Sequence, residues 1–305
     1  MADTVGDQHH HHRHEPSSRS ERRLAGAAAA NATLAVVQLI GGLAFASVAL
    51  LADTAHQAVD ALALGTSLVA ARLARRPPSA RRSFGWARAD ALGAAASALV
   101  LLASTGWLAV ESVRRLVDPE AVEGVGVLVL GLVGVAVNGA SLRLIGHGTA
   151  LSIRAARLHL LTDLAGSAAV VVAAVLVTTL GWDRVDAVAS LLITVLVVRA
   201  SVSLARQAAD VLLDAVPTGV DADAVCAAIA ALAGVDDVHH VHVRSIGPDA
   251  LEATAHITLD GACSVHEAQV RVRAIEALLA DRFGIGHVTV QVECHPCETP
   301  AHAGP

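Results

Sequence analysis

Long apolar runs, broken by short arginine-bearing or acidic stretches, fill the first two thirds of the chain and then stop. A helix needs about 20 mostly apolar residues to cross hydrocarbon. Six stretches qualify, over residues 24–45, 48–71, 89–113, 125–145, 155–180 and 185–205. Only Ala46 and Ser47 separate the first two, which predicts a helical hairpin. After Pro217 the texture changes. Residues 221–233 and 265–283 read as helices, whereas 238–246, 251–260 and 287–293 alternate as strands do. The order αββαβ predicts a small two-layer α+β domain with two helices on one sheet face. The expected organisation is a polar tail over 1–23, a six-helix membrane domain over 24–207, a cytoplasmic domain over 208–295 and a short tail over 296–305.

Arginine placement orients the bundle. The N-terminus, the 72–88 loop, the 143–157 segment and the end of the sixth span hold 15 arginines, against Arg114, Arg115 and Arg184 on the other side. The positive-inside rule therefore puts both termini in the cytoplasm, as an even number of spans requires. Residues 1–23 lack the apolar core of a cleaved signal peptide, so insertion is expected to rely on the first span. Hydrophobic residues make up 54% of the chain, above the ~45–50% usual for soluble domains. Charge divides unevenly. The first 206 residues carry 18 arginines against 14 acidic groups, and the remainder 4 against 14. A tail so acidic repels a twin held beside it, and bound cations relieve that repulsion. No nucleic-acid partner is expected; the partners expected are the lipid bilayer, divalent metal ions and a second copy of the chain.

The candidate chemistry lies in two repeated patterns inside the apolar runs: His56 with Asp60, and His159 with Asp163. At helical pitch each pair shares one face. Ionisable groups are expensive in hydrocarbon and mark ion pathways. One such pair alone reads equally well as polar glue between helices. Two at identical spacing supply two nitrogens and two oxygens, the donor set of a tetrahedral zinc ion. The two carboxylates balance a divalent charge, and protons relieve the emptied site, so metal and protons compete for the same lone pairs. Exchange of outbound Zn²⁺ for inbound H⁺ follows if the site faces each side in turn. Asp53, one turn before His56, reads either as an accessory ligand or as an interfacial hydrogen-bonder.

Further ligands crowd the tail. Strict alternation puts His240 and His242 on one face of the first strand, His256 with Glu252 and Thr254 on the polar face of the second, and His287, Gln291 and Glu293 on that of the third. A regulatory zinc site there, between subunits or within one, competes with solvated surface histidines as the reading. Cys294 and Cys297 stand at chelating spacing without a second pair. The N-terminal His9, His10, His11, His12 and His14 would gather metal loosely near the cytoplasmic mouth.

The stretch from Leu51 through Asp53 and His56 to Asp60 resembles the second helix of the cation diffusion facilitator family. Phe84-Gly85-Trp86-Ala87-Arg88-Ala89-Asp90 resembles that family's approach to helix three, Leu158 through Asp163 to Ser167 its helix five, and Leu212-Leu213-Asp214 its exit from helix six. The resemblance implies a homodimeric metal/proton antiporter with a ferredoxin-like cytoplasmic domain, and associates histidine at position 56 with zinc preference. It also implies tail metal at positions matching His239, His256, Gln291 and Glu293, with Gln291 standing where some members have histidine and Arg244 where tryptophan is usual.

Efflux favouring Co²⁺, Ni²⁺ or Cd²⁺ stays open, because imidazole and carboxylate accept them too. A membrane-bound metal sensor is a second class of reading. An intramembrane metalloenzyme is a third, disfavoured because neither histidine has a neighbouring glutamate to serve as general base. The alanine–arginine bias and the short 4–5 loop point to a bacterial cytoplasmic membrane.

Overall fold

The structure, a computed structural model, describes residues 18–44, 48–117, 124–148, 150–180, 185–248 and 250–295. Outside the described residues lie His9, His10, His11, His12, His14 and Cys297, and so do the side chains of Asp53, His56 and Asp60.

Among the described residues the first two thirds form six long helices: α1 Ser18–Ala44, α2 Val48–Ala74, α3 Ala89–Val117, α4 Gly124–Ile145, α5 Leu151–Leu180 and α6 Val185–Leu212. Even the 22-residue α4 reaches about 33 Å at 1.5 Å per residue, enough for a hydrocarbon core of ~30 Å. Leu62, Val69, Leu92, Leu99, Trp107, Leu192 and Leu196 project from the bundle with more than half their surface open. That outward apolar coat is what a lipid-facing surface requires. The helices outrun the apolar stretches read from sequence. α6, for example, continues to Leu212 rather than ending near 205, because its last turns pack through Leu204 and Ala208 against Ala94 and Ala98 of α3.

Small residues set the helix spacing, as expected where lipid removes the hydrophobic drive to associate. A Cβ at Gly93 of α3 would lie 2.1 Å from the Ala70 Cβ of α2, and one at Gly134 of α4 would lie 2.5 Å from the Ser167 Oγ of α5. Between α2 and α3, the hydroxyls of Ser67 and Ser97 meet at 3.1 Å. α5 is the hub. Its Ala155 joins the small-residue cluster of α3 and α6, while Ala156 and Leu160 join Leu24 and Ala27 of α1, Leu64 of α2 and Ile145 of α4.

The tail follows the αββαβ order: α7 Ala222–Ala230, β1 Asp237–Gly247, β2 Ala250–Thr258, α8 Val265–Phe283 and β3 His287–Glu293. Asp221 caps α7 by accepting from the backbone N–H of Asp223 and Ala224. Ser264 and Glu267 form a reciprocal capping box on α8, and Gly284 at φ 69° ends it. α7 stops three residues short of the expected 233 because the chain turns back through Gly234, at φ 82°. The sheet order is β1-β2-β3, antiparallel then parallel, and a parallel neighbour needs the crossover that α8 provides. Val225 and Ile229 of α7, Ile275 and Leu279 of α8, and Val243, Ala255 and Ile257 of the sheet form one dry core.

Candidate metal centres

α5 carries the second His/Asp pair into the bundle interior. His159 is 4% exposed, and its Nε2 lies 3.6 Å from Oδ2 of Asp163. That separation is too long for a hydrogen bond and close to the ~3.3 Å edge of a tetrahedral ligand set with metal bonds of ~2.0–2.1 Å. Next to the pair, the Thr162 hydroxyl donates to the Leu158 carbonyl at 2.9 Å and the Ser167 hydroxyl to the Asp163 carbonyl at 2.8 Å. Such back-bonding spares the bundle two unpaired hydroxyls. The helix that bears the first His/Asp pattern packs beside α5. Positions 56, 60 and 64 stack on one face of α2, and Leu64 is buried against Ala156 and Leu160, the neighbours of His159.

The start of α5 is held from outside. The buried Asp90 carboxylate, in the first turn of α3, accepts the backbone N–H of Leu151 at 2.6 Å, that of Ser152 at 3.1 Å, and the Ser152 hydroxyl. A carboxylate there satisfies donors that a helix cannot satisfy itself and complements the helix dipole. In the sequence Asp90 stands out only as the last residue of the stretch Phe84-Gly85-Trp86-Ala87-Arg88-Ala89-Asp90. Its partners lie 61 and 62 residues away, so no local pattern reveals the role.

In the tail, His239, His256 and Glu293 offer ligand atoms all within 4.8 Å of one another. His256 Nδ1 lies 2.9 Å from Glu293 Oε1, His239 Nε2 lies 3.2 Å from Glu293 Oε2, and His239 Nδ1 lies 3.1 Å from Asp237. Burial pushes the Glu293 carboxyl upward, but hydrogen bonds from Gln291 and His256 and the nearby His239 and His256 charges outweigh it and hold the group below its ordinary value.

Strict alternation failed on β1. The register slips between His239 and His242, so His240 leaves the face expected for it and its ring stands beside those of His239 and His256, with centres 5.3 and 5.0 Å away. His242 is exposed opposite Thr254, and His287 is exposed opposite Glu252, four residues along β3 from Gln291. Cys294 is exposed past the end of β3. Glu252 does not join His256. It is buried and accepts from Arg244 Nε at 2.7 Å. Gln291 donates its amide to Glu293 Oε1 at 2.8 Å.

A charged chain joins tail to bundle. Arg88, before α3, pairs with Asp214, just past α6, and Arg244 of β1 approaches the same carboxylate at 3.8 Å. The Glu252 hydrogen bond, opposed by burial and aided by the Glu252 and Asp214 charges, raises the Arg244 pKa. A Cβ at Gly247 would sit 2.8 Å from the Ala87 Cβ, so the β1–β2 turn rests directly on the loop before α3.

A membrane bundle with a buried imidazole–carboxylate pair, bearing a small α+β domain with a histidine cluster, defines a metal-ion transporter class rather than an enzyme class. The family described as "Cation efflux transmembrane domain" matches residues 24–213 and that described as "Cation efflux protein, cytoplasmic domain" matches 217–295, and the chain belongs to this cation diffusion facilitator family. It is 34% identical over 272 residues to the zinc transporter ZitB of Pectobacterium atrosepticum, covering 88% of this chain and 84% of that protein. It is 33% identical to the metal cation efflux system protein CzcD of Cupriavidus metallidurans, covering 89% and 86%. A "Cadmium, cobalt and zinc/H(+)-K(+) antiporter" of Bacillus velezensis is 30% identical, covering 85% and 83%.

Proposed function

We propose that the protein exports Zn²⁺ from the cytoplasm in exchange for protons, by alternating access, with His56, Asp60, His159 and Asp163 as the carrier site. The observation that carries this reading is the His159–Asp163 pair, buried in α5 with its ligand atoms at tetrahedral spacing. The register of Leu64 against Leu160 supports α2 as the source of the other two ligands. In the loaded site two carboxylates neutralise the ion. Opened to the far side, the same lone pairs take protons, the ion leaves, and the protonated site returns without a buried uncompensated charge. Imidazole nitrogen favours zinc over the hard Mg²⁺ and Mn²⁺. The protein works as a homodimer in the bacterial inner membrane with both termini cytoplasmic, and the tail binds regulatory zinc.

Export of Cd²⁺ or Co²⁺ is the second reading, favoured by the name of the Bacillus relative. The test is metal flux in proteoliposomes with an imposed pH gradient. Zinc should move against the proton gradient, outcompete cobalt and cadmium, and stop in folded Asp163→Ala. Zinc flux independent of the gradient would refute antiport, and flux surviving Asp163→Ala would refute the site.

A further inference from the structure

The stretch joining α2 to α3 carries six arginines over residues 72–88 and no acidic residue. Beside it lies a groove of about 1060 Å³, at the upper end of the ~300–1,000 Å³ clefts that take small molecules. Residues 61–73 of α2 line one side, Leu92, Gly93 and Ala96 of α3 the other, and Arg244 and Ile246 of β1 reach its mouth. Absent side chains give it depth, since a Cβ at Gly65 would meet nothing within 4 Å.

The two ends of the groove differ in chemistry. The α2 stretch spans about 18 Å at 1.5 Å per residue, close to the ~15 Å hydrocarbon depth of one leaflet, and Leu62, Val69 and Leu92 along it are apolar and exposed. At the mouth stand Arg82, Arg88 and Arg244. Arg88 pairs with Asp214, and Arg244 lies 3.8 Å from Asp214 and 2.7 Å from Glu252. Three guanidiniums thus meet two carboxylates. Arg82 is the cation left over, and among the described residues it has no carboxylate partner.

Arg82 is also held in place. The backbone N–H groups of Ser79 and Arg82 donate to each other's carbonyls at 2.9 Å, and the guanidinium lies 3.6 Å above the Trp86 ring. Stacking on a ring orients a cation without neutralising it. Tryptophan and arginine together at a helix end mark the headgroup level of a membrane. A water-soluble partner cannot enter a groove flanked by hydrocarbon, and an uncharged lipid would leave Arg82 unmatched. Basic pockets between membrane helices on the cytoplasmic side take anionic headgroups.

We propose that this groove holds one anionic phospholipid of the cytoplasmic leaflet, with its phosphate on Arg82 and its chains between α2 and α3. Because β1 reaches the mouth, the lipid joins the tail to the helix that bears His56 and Asp60. The choice of leaflet rests on the orientation proposed above, whereas binding itself does not.

The test uses the full-length protein carrying Trp107→Phe and Trp182→Phe, so that Trp86 alone fluoresces, in phosphatidylcholine vesicles. Phosphatidylglycerol brominated along its chains is the probe, and brominated phosphatidylcholine is the control. Quenching is read against the unbrominated lipids and involves no zinc flux, so its failure and that of antiport are separate results. Phosphatidylglycerol should saturate the quenching at a roughly tenfold lower mole fraction, the worth of one charge-assisted hydrogen bond. Arg82→Gln should erase that preference and Arg82→Lys should keep most of it, while Arg81→Gln should match the parent. Gly65→Phe, which fills the groove and leaves every arginine in place, should also erase it, and decides the matter if Arg82→Gln fails to fold. Equal quenching by both lipids in the parent overturns the site, as does a preference that survives both Arg82→Gln and Gly65→Phe. No quenching by either lipid, with dissociation of the dimer in Gly65→Phe, overturns it in favour of a second copy of the chain.

Discussion

The carboxylate of Asp90 and the backbone N–H of Leu151, 2.6 Å apart, tie the first turn of α3 to the first turn of α5. Because α3 packs along α6 and α5 carries His159 and Asp163, this contact fixes the depth of the helix that bears the buried pair. Replacing a helix cap by alanine costs about 0.5–2 kcal/mol. Asp90→Ala should therefore lower the thermal midpoint in detergent and slow zinc flux, whereas Asp90→Asn, still a capping side chain, should lose less. Equal losses in both variants would mean that charge, not capping, is what α5 needs.

Gly134 faces Ser167 one turn beyond Asp163. An added methyl would stand 2.5 Å from the Ser167 hydroxyl, which donates to the Asp163 carbonyl. Overpacking of this kind costs about 1–3 kcal/mol. Gly134→Ala should reduce flux and stability, and Ser167→Gly added to it should restore both in part.

Arg244 neutralises Glu252, whose side chain is only 7% exposed. Removing one partner leaves the other charge buried, at a cost of about 1–3 kcal/mol. Arg244→Ala should lower the unfolding midpoint of the tail, and Glu252→Gln in that background should recover much of the loss. It should also loosen the tail from the bundle, since among the described residues Asp214 then keeps Arg88 alone. Fluorescence energy transfer between the loop before α3 and β1 would report the separation.

The capping box of α8 gives a pH dependence. Hydrogen bonds from the Ser264 hydroxyl and backbone lower the Glu267 pKa. A carboxyl lowered on folding contributes stability that is fully present above its unfolded value, near 4.5, and is lost as pH falls through the lower folded value. The stability difference between wild type and Ser264→Ala should accordingly be constant near neutrality and shrink below about pH 4.5, read by unfolding at each pH.

Much of this architecture was legible because lipid imposes it. Long apolar runs can only be helices, and His159 with Asp163 is one turn apart on any helix. The helix expected over 265–283 is α8, with those bounds. What was hidden depends on distance or on broken regularity. Asp90 acts on residues more than 60 positions away. His240 reaches its neighbours only through a bulge, and period-2 reasoning assumes that no bulge exists. Alternation groups Glu252 with His256 on the polar face of β2, and only the fold brings Arg244 to it.

The claim on which the account rests is that two helices share one ion. Anomalous diffraction at the zinc edge, on crystals of the full-length protein grown with zinc, tests it without a kinetic argument. The account predicts a peak between α2 and α5, within about 2.0–2.2 Å of ligand atoms from His56, Asp60, His159 and Asp163. A zinc peak held by His159 and Asp163 with no ligand from α2, or no peak near them while the tail site is filled, would contradict it.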